Sequence, residues 1–389
     1  MSANSLFRGD WHPVVPVRFG PGRLAELPAS CRALGIARPL LITDSGLGNS
    51  AIVQRAIEIN RERGIATGLY AGVRSNPVSR NVEDGVAAYL AGGHDGVITF
   101  GGGSALDAGK CVALMAPQPQ RALWDFIWGR PQPKGEVKAA PIIAIPTTAG
   151  TGSEMDGGAI ITNEATKVKE ILAHGKMRAR AVIGDPELTI GLPRNLTAWT
   201  GMDALSHALE AYCVPDYDPM ADGMALESMR LVAEWLPVAV ADGTNIEARS
   251  QMLSAAMMGA AAFRKGLGAM HALSHPIGAM YDTHHGLTNA VLMPYVLKFN
   301  EAALQPKMRR LAHYLELPTS SFGAVLDWVL QLRAQLDIPE TLEDLNVPAH
   351  EVEIVAAKAA ADGCAPTNPV PAGHGEMVKI FQAAYDGAL

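Results

Sequence analysis

The chain has 389 residues, 48% hydrophobic and 18% charged, with a net charge of −7. Its length calls for two domains rather than one core, and its composition suits a globular enzyme rather than a disordered segment. An acidic balance without any Lys/Arg run argues against binding to nucleic acid or an anionic membrane surface.

Residues 1–17, MSANSLFRGDWHPVVPV, lack a basic region followed by an apolar core, so no secretory signal is expected. No apolar run approaches the roughly eighteen residues a membrane span needs. PLLITD (39–44) reads as a buried parallel strand and AIVQRAIEINRERG (51–64) as the helix after it. GIATGLYAG (64–72) reads as a second strand, NVEDGVAAYLAGG (81–93) as a helix, and DGVITF (95–100) and APIIAIPTT (140–148) as further strands. Alternation of this kind predicts a parallel sheet with helices on its faces. The four cysteines, Cys31, Cys111, Cys213 and Cys364, are far apart and form no CxxC pair. Neither a disulfide framework nor a thiolate zinc site is expected, and a reducing cytoplasm fits best.

Two small-residue loops follow predicted strands. GGGSALDAGK (101–110) opens a predicted helix, where glycines let the backbone approach a pyrophosphate and the helix N-terminus offers free N–H groups. A ligand-free tight turn is the plainer reading, but three consecutive glycines exceed what a turn requires. The loop is not the GxGxxG fingerprint of an ordinary Rossmann unit. TTAGTGSE (147–154) is the second such loop, rich in hydroxyls that can donate to phosphate or ribose. Together they predict one dinucleotide laid across the carboxyl ends of the strands. Asp44, closing the first strand, either reads an adenosine ribose 2′-hydroxyl and so favours NAD over NADP, or simply caps a turn.

From GLPRNLTAW (191–199) onward the pattern becomes helical, with stretches at 196–213, 219–241, 246–264 and 301–316. In the first, Trp199, Met202, Leu205, Leu209 and Tyr212 form an apolar stripe, with Asp203, His207 and Glu210 off it. Asp203 and His207 are one helical turn apart, and His271 and His275 repeat that spacing. A carboxylate with several imidazoles is an ordinary donor set for a divalent transition metal. Geometry alone leaves His275, His284 and His285 open as the remaining donor, and Pro276 argues against a regular helix through that stretch. Glu210 is read as a solvated residue or a support for a ligand, not as a ligand itself.

Several motifs in register resemble the iron-containing (group III, lactaldehyde reductase-like) alcohol dehydrogenases over nearly the full length. They are LLITD (40–44), SNP (75–77), GGGSALDAGK, PTTAGTGSE, DPELTIGLP (185–193), GMDALSHALEAY (201–212), HHGLTNAVLMPYV (284–296) and DGCAPTNP (362–369). The resemblance implies a dehydroquinate synthase-like fold: a Rossmann-like α/β domain over 1–190 binding NAD, and a helical metal-binding domain over 191–389. It implies Asp203, His207, His271 and His285 as metal ligands, with iron favoured and zinc an alternative. His275 is implied to be a proton-relaying residue near the substrate. Asp44, Asn76, Gly102, Gly103, Ser104, Asp107, Thr147, Thr148, Thr151, Lys169 and Leu188 correspond to cofactor-contacting positions. A homodimer or larger homo-oligomer is also implied.

The implied reaction is reversible hydride transfer between NAD⁺ and a primary alcohol (a short alcohol, diol or ω-hydroxy acid), in a cleft between the domains, with the metal a Lewis acid toward the alcohol oxygen. Two departures bear on the substrate. AFRKGLG (262–268) carries Arg264 and Lys265, which either reach the pocket and favour an anionic substrate or face solvent as a basic turn. Gly157 and Gly158 stand where relatives can carry a polar, cofactor-contacting side chain. A metal-independent maleylacetate reductase-type enzyme and a sugar-phosphate cyclase are the competing readings; the full ligand set and the absence of a Lys/Arg phosphate cluster count against them.

Overall fold

A computed structural model describes residues 15–389; most of the N-terminal stretch read for a signal lies outside it. The chain divides into two compact units, one running through Thr148 and resuming over Gly152–Leu192, the other comprising Ala149–Thr151 and Pro193–Leu389.

The first unit is built on strands β1 (Val17–Phe19), β2 (Pro39–Asp44), β3 (Gly68–Val73), β4 (Gly96–Gly101), β5 (Ile142–Pro146) and β8 (Ala181–Gly184). They form one all-parallel sheet in the order β1-β8-β5-β4-β2-β3. β4 and β5 are buried along their whole length, as expected of apolar runs covered on both faces. Helices α1 (Leu27–Ala33), α2 (Ala51–Arg61), α3 (Ser79–Ala91) and α4 (Gly103–Met115) connect or cover them. Leu27, Val53, Ile98, Phe100 and Ile145 share one core, each contributing roughly 1.5–3 kcal/mol by leaving water. β6 (Gly158–Asn163) and β7 (Val168–Ala173) form a separate antiparallel pair.

The chain leaves β2 toward β3 on one side and β4 toward β5 on the other, so the sheet has a topological switch point between β2 and β4. Ligands of open α/β sheets bind outside the carboxyl ends of the strands at such a point. Asp44 ends β2 and Gly101 ends β4, which places the first glycine loop and the aspartate at that point.

The second unit is helical: α5 (Arg194–Cys213), α6 (Pro219–Ala241), α7 (Ile246–Ala262), α8 (Ala269–Tyr281), α9 (His285–Tyr314), α10 (Phe322–Gln335), α11 (Val352–Ala360) and α12 (His374–Asp386). α6, α7 and α9 all pack on α5, which is buried almost all round. The amphipathic stripe read for α5 is therefore corrected: Glu210 is 5% exposed, not solvated. The doubt raised by Pro276 is also corrected, since α8 runs through it. α8 is buried from Ala269 to Gly278, and packing there outweighs one lost backbone hydrogen bond. No helix among the described residues is long and apolar enough to cross a membrane.

Candidate active site and metal centre

Asp203 and His207 face inward from successive turns of α5, His271 lies in the first turn of α8, and His285 opens α9. One donor atom from each of the four lies within 4.8 Å of all the others. The His207 and His271 rings stack at 4.8 Å between centroids, and His285 Nε2 is 3.7 Å from Asp203 Oδ1. Burial pushes the His207 imidazole down to about 4, against the opposing pull of Asp203, so it is neutral and offers a lone pair.

Glu210 sets the orientation of His271. Its Oε2 lies 2.6 Å from His271 Nδ1, which places the imidazole proton on Nδ1 and leaves the Nε2 lone pair facing the other donors. The same carboxylate accepts the backbone N–H groups of Gly268 at 2.9 Å, Met270 at 2.8 Å and His271 at 3.4 Å. These are N–H groups that an α-helix leaves without internal partners at its start.

The Asn289 side chain tests whether a cation fits. Its Nδ2 donates to Asp203 Oδ1 at 3.1 Å, with His271 Nε2 at 3.3 Å, His285 Nε2 at 3.2 Å and Ser206 Oγ at 3.4 Å. One amide has two protons, fewer than the acceptors converging on it. An excess of inward-facing lone pairs from one carboxylate and three imidazoles is the electrostatic condition a divalent transition metal satisfies.

Other candidates fall elsewhere. His284 caps α9, accepting from Leu287 N at 3.4 Å, and packs on Trp199. His275 belongs to a neighbouring group with Asp362 and Cys364, its ring 5.5 Å from that of His285. Arg264 and Lys265 are both held in ion pairs. Arg264 pairs with Asp218 at 3.1 Å and Lys265 with Asp222 at 2.5 Å, the lysine side chain being 1% exposed.

In the sheet unit, Asp44 Oδ1 accepts from Gly46 N at 2.9 Å and Leu47 N at 3.0 Å, so it does cap the turn. Its Oδ2 faces the glycine loop, 3.3 Å from where a Cβ on Gly101 would stand. Gly102, the N-cap of α4, provides no side-chain cap, leaving the first-turn N–H groups of Gly103 and Ser104 for an anion. A Cβ on Gly102 would meet Thr148 Cγ2 at 3.2 Å, and Thr147 N donates to Gly101 O at 2.9 Å, so the two loops lie side by side. This glycine-lined helix start fits a pyrophosphate. Asp107 is engaged within the protein: Oδ1 accepts from Ser153 Oγ at 2.5 Å, Oδ2 from Ile160 N at 2.8 Å, and Lys110 lies 3.3 Å away. Asn76 holds a left-handed backbone (φ 50°) after β3. Lys169 is buried on β7 opposite Thr162, Leu188 joins the hydrophobic core, and Thr151 belongs to the helical unit. At Gly157 a Cβ would stand 3.2 Å from the His174 carbonyl, and Gly158 opens β6.

Residues 15–186 match the model of iron-containing alcohol dehydrogenases, and 197–385 that of the C-terminal part of the Fe-containing alcohol dehydrogenase family. The chain belongs to the iron-containing alcohol dehydrogenase family. It is 36% identical to the 4-hydroxybutyrate dehydrogenase of Cupriavidus necator, over 93% of this chain and 96% of that protein. It is 34% identical to the NAD-dependent methanol dehydrogenase of Bacillus methanolicus, covering 94% and 97%. The solved structure of a 1,3-propanediol oxidoreductase superposes with a TM-score of 0.92 at 35% identity, covering 97% of this chain and all of that one. The protein is thus a metal-dependent alcohol dehydrogenase, an oxidoreductase with an α/β parallel-sheet part and a helical part.

Sequence reasoning missed Asn289 and Gly286 in this dehydrogenase. The available signal was position: Asn289 is one turn beyond His285, and Gly286 is the next residue. A Cβ on Gly286 would stand 2.3 Å from the Trp199 carbonyl and 2.8 Å from Asp203 Cβ. Neither neighbour can yield, one being backbone and the other the root of a donor side chain. Gly286→Ala is expected to push the start of α9 off α5 and separate His285 from Asp203. Bound metal, measured by plasma emission, should drop at least roughly tenfold in affinity; parent-like affinity would show that α9 accommodates the methyl group.

Proposed function

We propose that this enzyme oxidises short primary alcohols, diols or ω-hydroxy acids with NAD⁺, reversibly, using a divalent cation held by Asp203, His207, His271 and His285, with Fe²⁺ as the native ion and Zn²⁺ as an alternative. The convergence of those four donors on a point with too few protons is the observation that carries the reading. When bound, the cation supplies Lewis acidity toward the substrate oxygen and the nicotinamide accepts the hydride. Asp44, Asn76, Gly102, Gly103, Ser104, Asp107, Thr147, Thr148, Thr151, Lys169 and Leu188 bind and orient the dinucleotide, with residues 1–190 as its domain and 191–389 as that of the metal. His275, whose Nε2 is buried without a hydrogen-bond partner, accepts the hydroxyl proton. Because Arg264 and Lys265 are already paired with carboxylates, nothing in that turn favours an anionic substrate. The reading also has the enzyme working in the cytoplasm as a homodimer or larger assembly; the family resemblance and four unpaired, buried cysteines support it.

A spectrophotometric screen of NAD⁺ and NADP⁺ against short alcohols, diols and ω-hydroxy acids, after Fe²⁺ or Zn²⁺ reconstitution, tests the proposal. NAD⁺-linked turnover that is lost on chelation and strongest with uncharged substrates is expected; turnover indifferent to metal would overturn it. Asp44→Asn keeps an oxygen for the turn while removing the charge that opposes a 2′-phosphate. The kcat/KM ratio of NADP⁺ to NAD⁺ should rise roughly ten- to hundredfold, and an unchanged ratio would remove Asp44 from coenzyme selection.

A further inference from the structure

Beside the four donors lies a second buried hydrogen-bonded group. His275 Nδ1 is 2.9 Å from Asp362 Oδ2, with side chains 3% and 8% exposed. Asp362 lies in the turn after α11, and its Oδ1 accepts the Cys364 backbone N–H at 2.8 Å, so the carboxylate is held from two sides. Burial would raise the Asp362 carboxyl, but His275 and the Cys364 N–H hold it below its ordinary value, so it is ionised. The three donor atoms of His275, Asp362 and Cys364 approach within 4.8 Å, a spacing that could also suit a cation. Burial, reinforced by Asp362, pushes the Cys364 thiol well above its ordinary value and keeps it protonated. The contacts within the trio are hydrogen bonds to one carboxylate, which takes His275 Nδ1 on one oxygen and the Cys364 N–H on the other.

We propose that Asp362 is a positioning residue for His275, locking the imidazole tautomer whose Nε2 carries the lone pair. A neutral imidazole has one N–H, and an ionised carboxylate only accepts, so the proton must sit on Nδ1. The opposite nitrogen, buried and unpartnered, is then an acceptor, in a ring whose plane is held by stacking on His285 at 5.5 Å and an edge contact with His271 at 6.0 Å. When the substrate O–H bond breaks, its electron pair stays on oxygen and an N–H bond forms at Nε2. Asp362 faces the resulting imidazolium and stabilises it until the proton passes to solvent. The inference rests on the reading of His275 as proton carrier.

In Asp362→Asn one amide oxygen remains for the Cys364 N–H, and the NH₂ turned to Nδ1 forces the other tautomer. We expect kcat to fall roughly hundredfold or more, while the KM for NAD⁺ and the metal content stay within about twofold. In a His275→Ala background the same change should cost less than about threefold, because Asp362 then has nothing to position. ¹⁵N-histidine spectra of the Zn²⁺-loaded protein read the tautomer directly, the signal being assigned by its loss in His275→Ala. An Nδ1–H form is expected in the parent and an Nε2–H form in Asp362→Asn. If Asp362→Asn does not fold, Asp362→Glu replaces it, with a retained Nδ1–H form and partial kcat expected. An Nε2–H form in the parent, or an undiminished loss in the His275→Ala background, would overturn the proposal. Parent-like kcat in His275→Ala would instead refute the proton-carrier reading, while the spectra still test the pairing.

Discussion

Replacing His271 by Ala should lower kcat/KM for alcohol oxidation by about 10³-fold or more and leave the protein without stoichiometric metal. The imidazole supplies one of four converging donors, and its Nε2 points inward only because Glu210 holds Nδ1. Its removal leaves three donors and a buried carboxylate that loses its shortest partner. His275→Ala should behave differently: metal content near that of the parent, with kcat reduced roughly 10²-fold. Metal stoichiometry and steady-state kinetics on the two variants thus separate a ligand from a proton carrier, a distinction that i, i+4 spacing left open. Coenzyme binding, followed by NADH fluorescence, should survive both changes because the glycine loops belong to the sheet unit. A metal-replete, active His271→Ala enzyme would dismantle the assignment.

What was legible in the sequence follows from how each segment buries itself. β2, β4 and β5 are short apolar runs ending at Asp44, Gly101 and Pro146, and they stood out with their carboxyl-end residues. The β6–β7 pair did not, because VKEILA sets two adjacent charges beside apolar residues and so shows no period of two, and β1 has only three residues. β3 begins at Gly68, later than read, since Gly64 adopts a left-handed backbone (φ 76°) that ends the preceding helix instead. α9 begins at His285 rather than at 301 because its first half is buried all round and carries Pro294, which hides any helical period. The same cause left Glu210 open between a solvated residue and a support for a ligand. In a helix buried on every side, such as α5, the period cannot tell a core-facing carboxylate from a solvated one. Burial and partners decide that, and both come from distant parts of the chain.

Glu210 is where that limit has the largest consequence. One buried carboxylate accepts three backbone N–H groups from Gly268, Met270 and His271 together with the Nδ1–H of His271. It closes the N-terminus of α8, where its charge also complements the helix dipole, and it fixes a metal-ligand ring with the same two oxygens. Glu210→Ala strands these donors in a buried site, at a cost of roughly 3–5 kcal/mol. Thermal unfolding should shift down by about 10 °C. Glu210→Gln keeps the shape but offers one oxygen where two accepted, and its NH₂ confronts N–H donors. It should fold, yet bind Zn²⁺ or Fe²⁺ roughly 10–100-fold more weakly, because the His271 ring loses its fixed tautomer and direction. The protective effect of metal on the melting temperature should shrink in parallel, since stabilisation by a ligand follows its affinity. Calorimetry with and without chelator, beside a metal titration, measures both effects on one sample. A Glu210→Gln protein with parent-like metal affinity would show that the carboxylate caps α8 without steering His271.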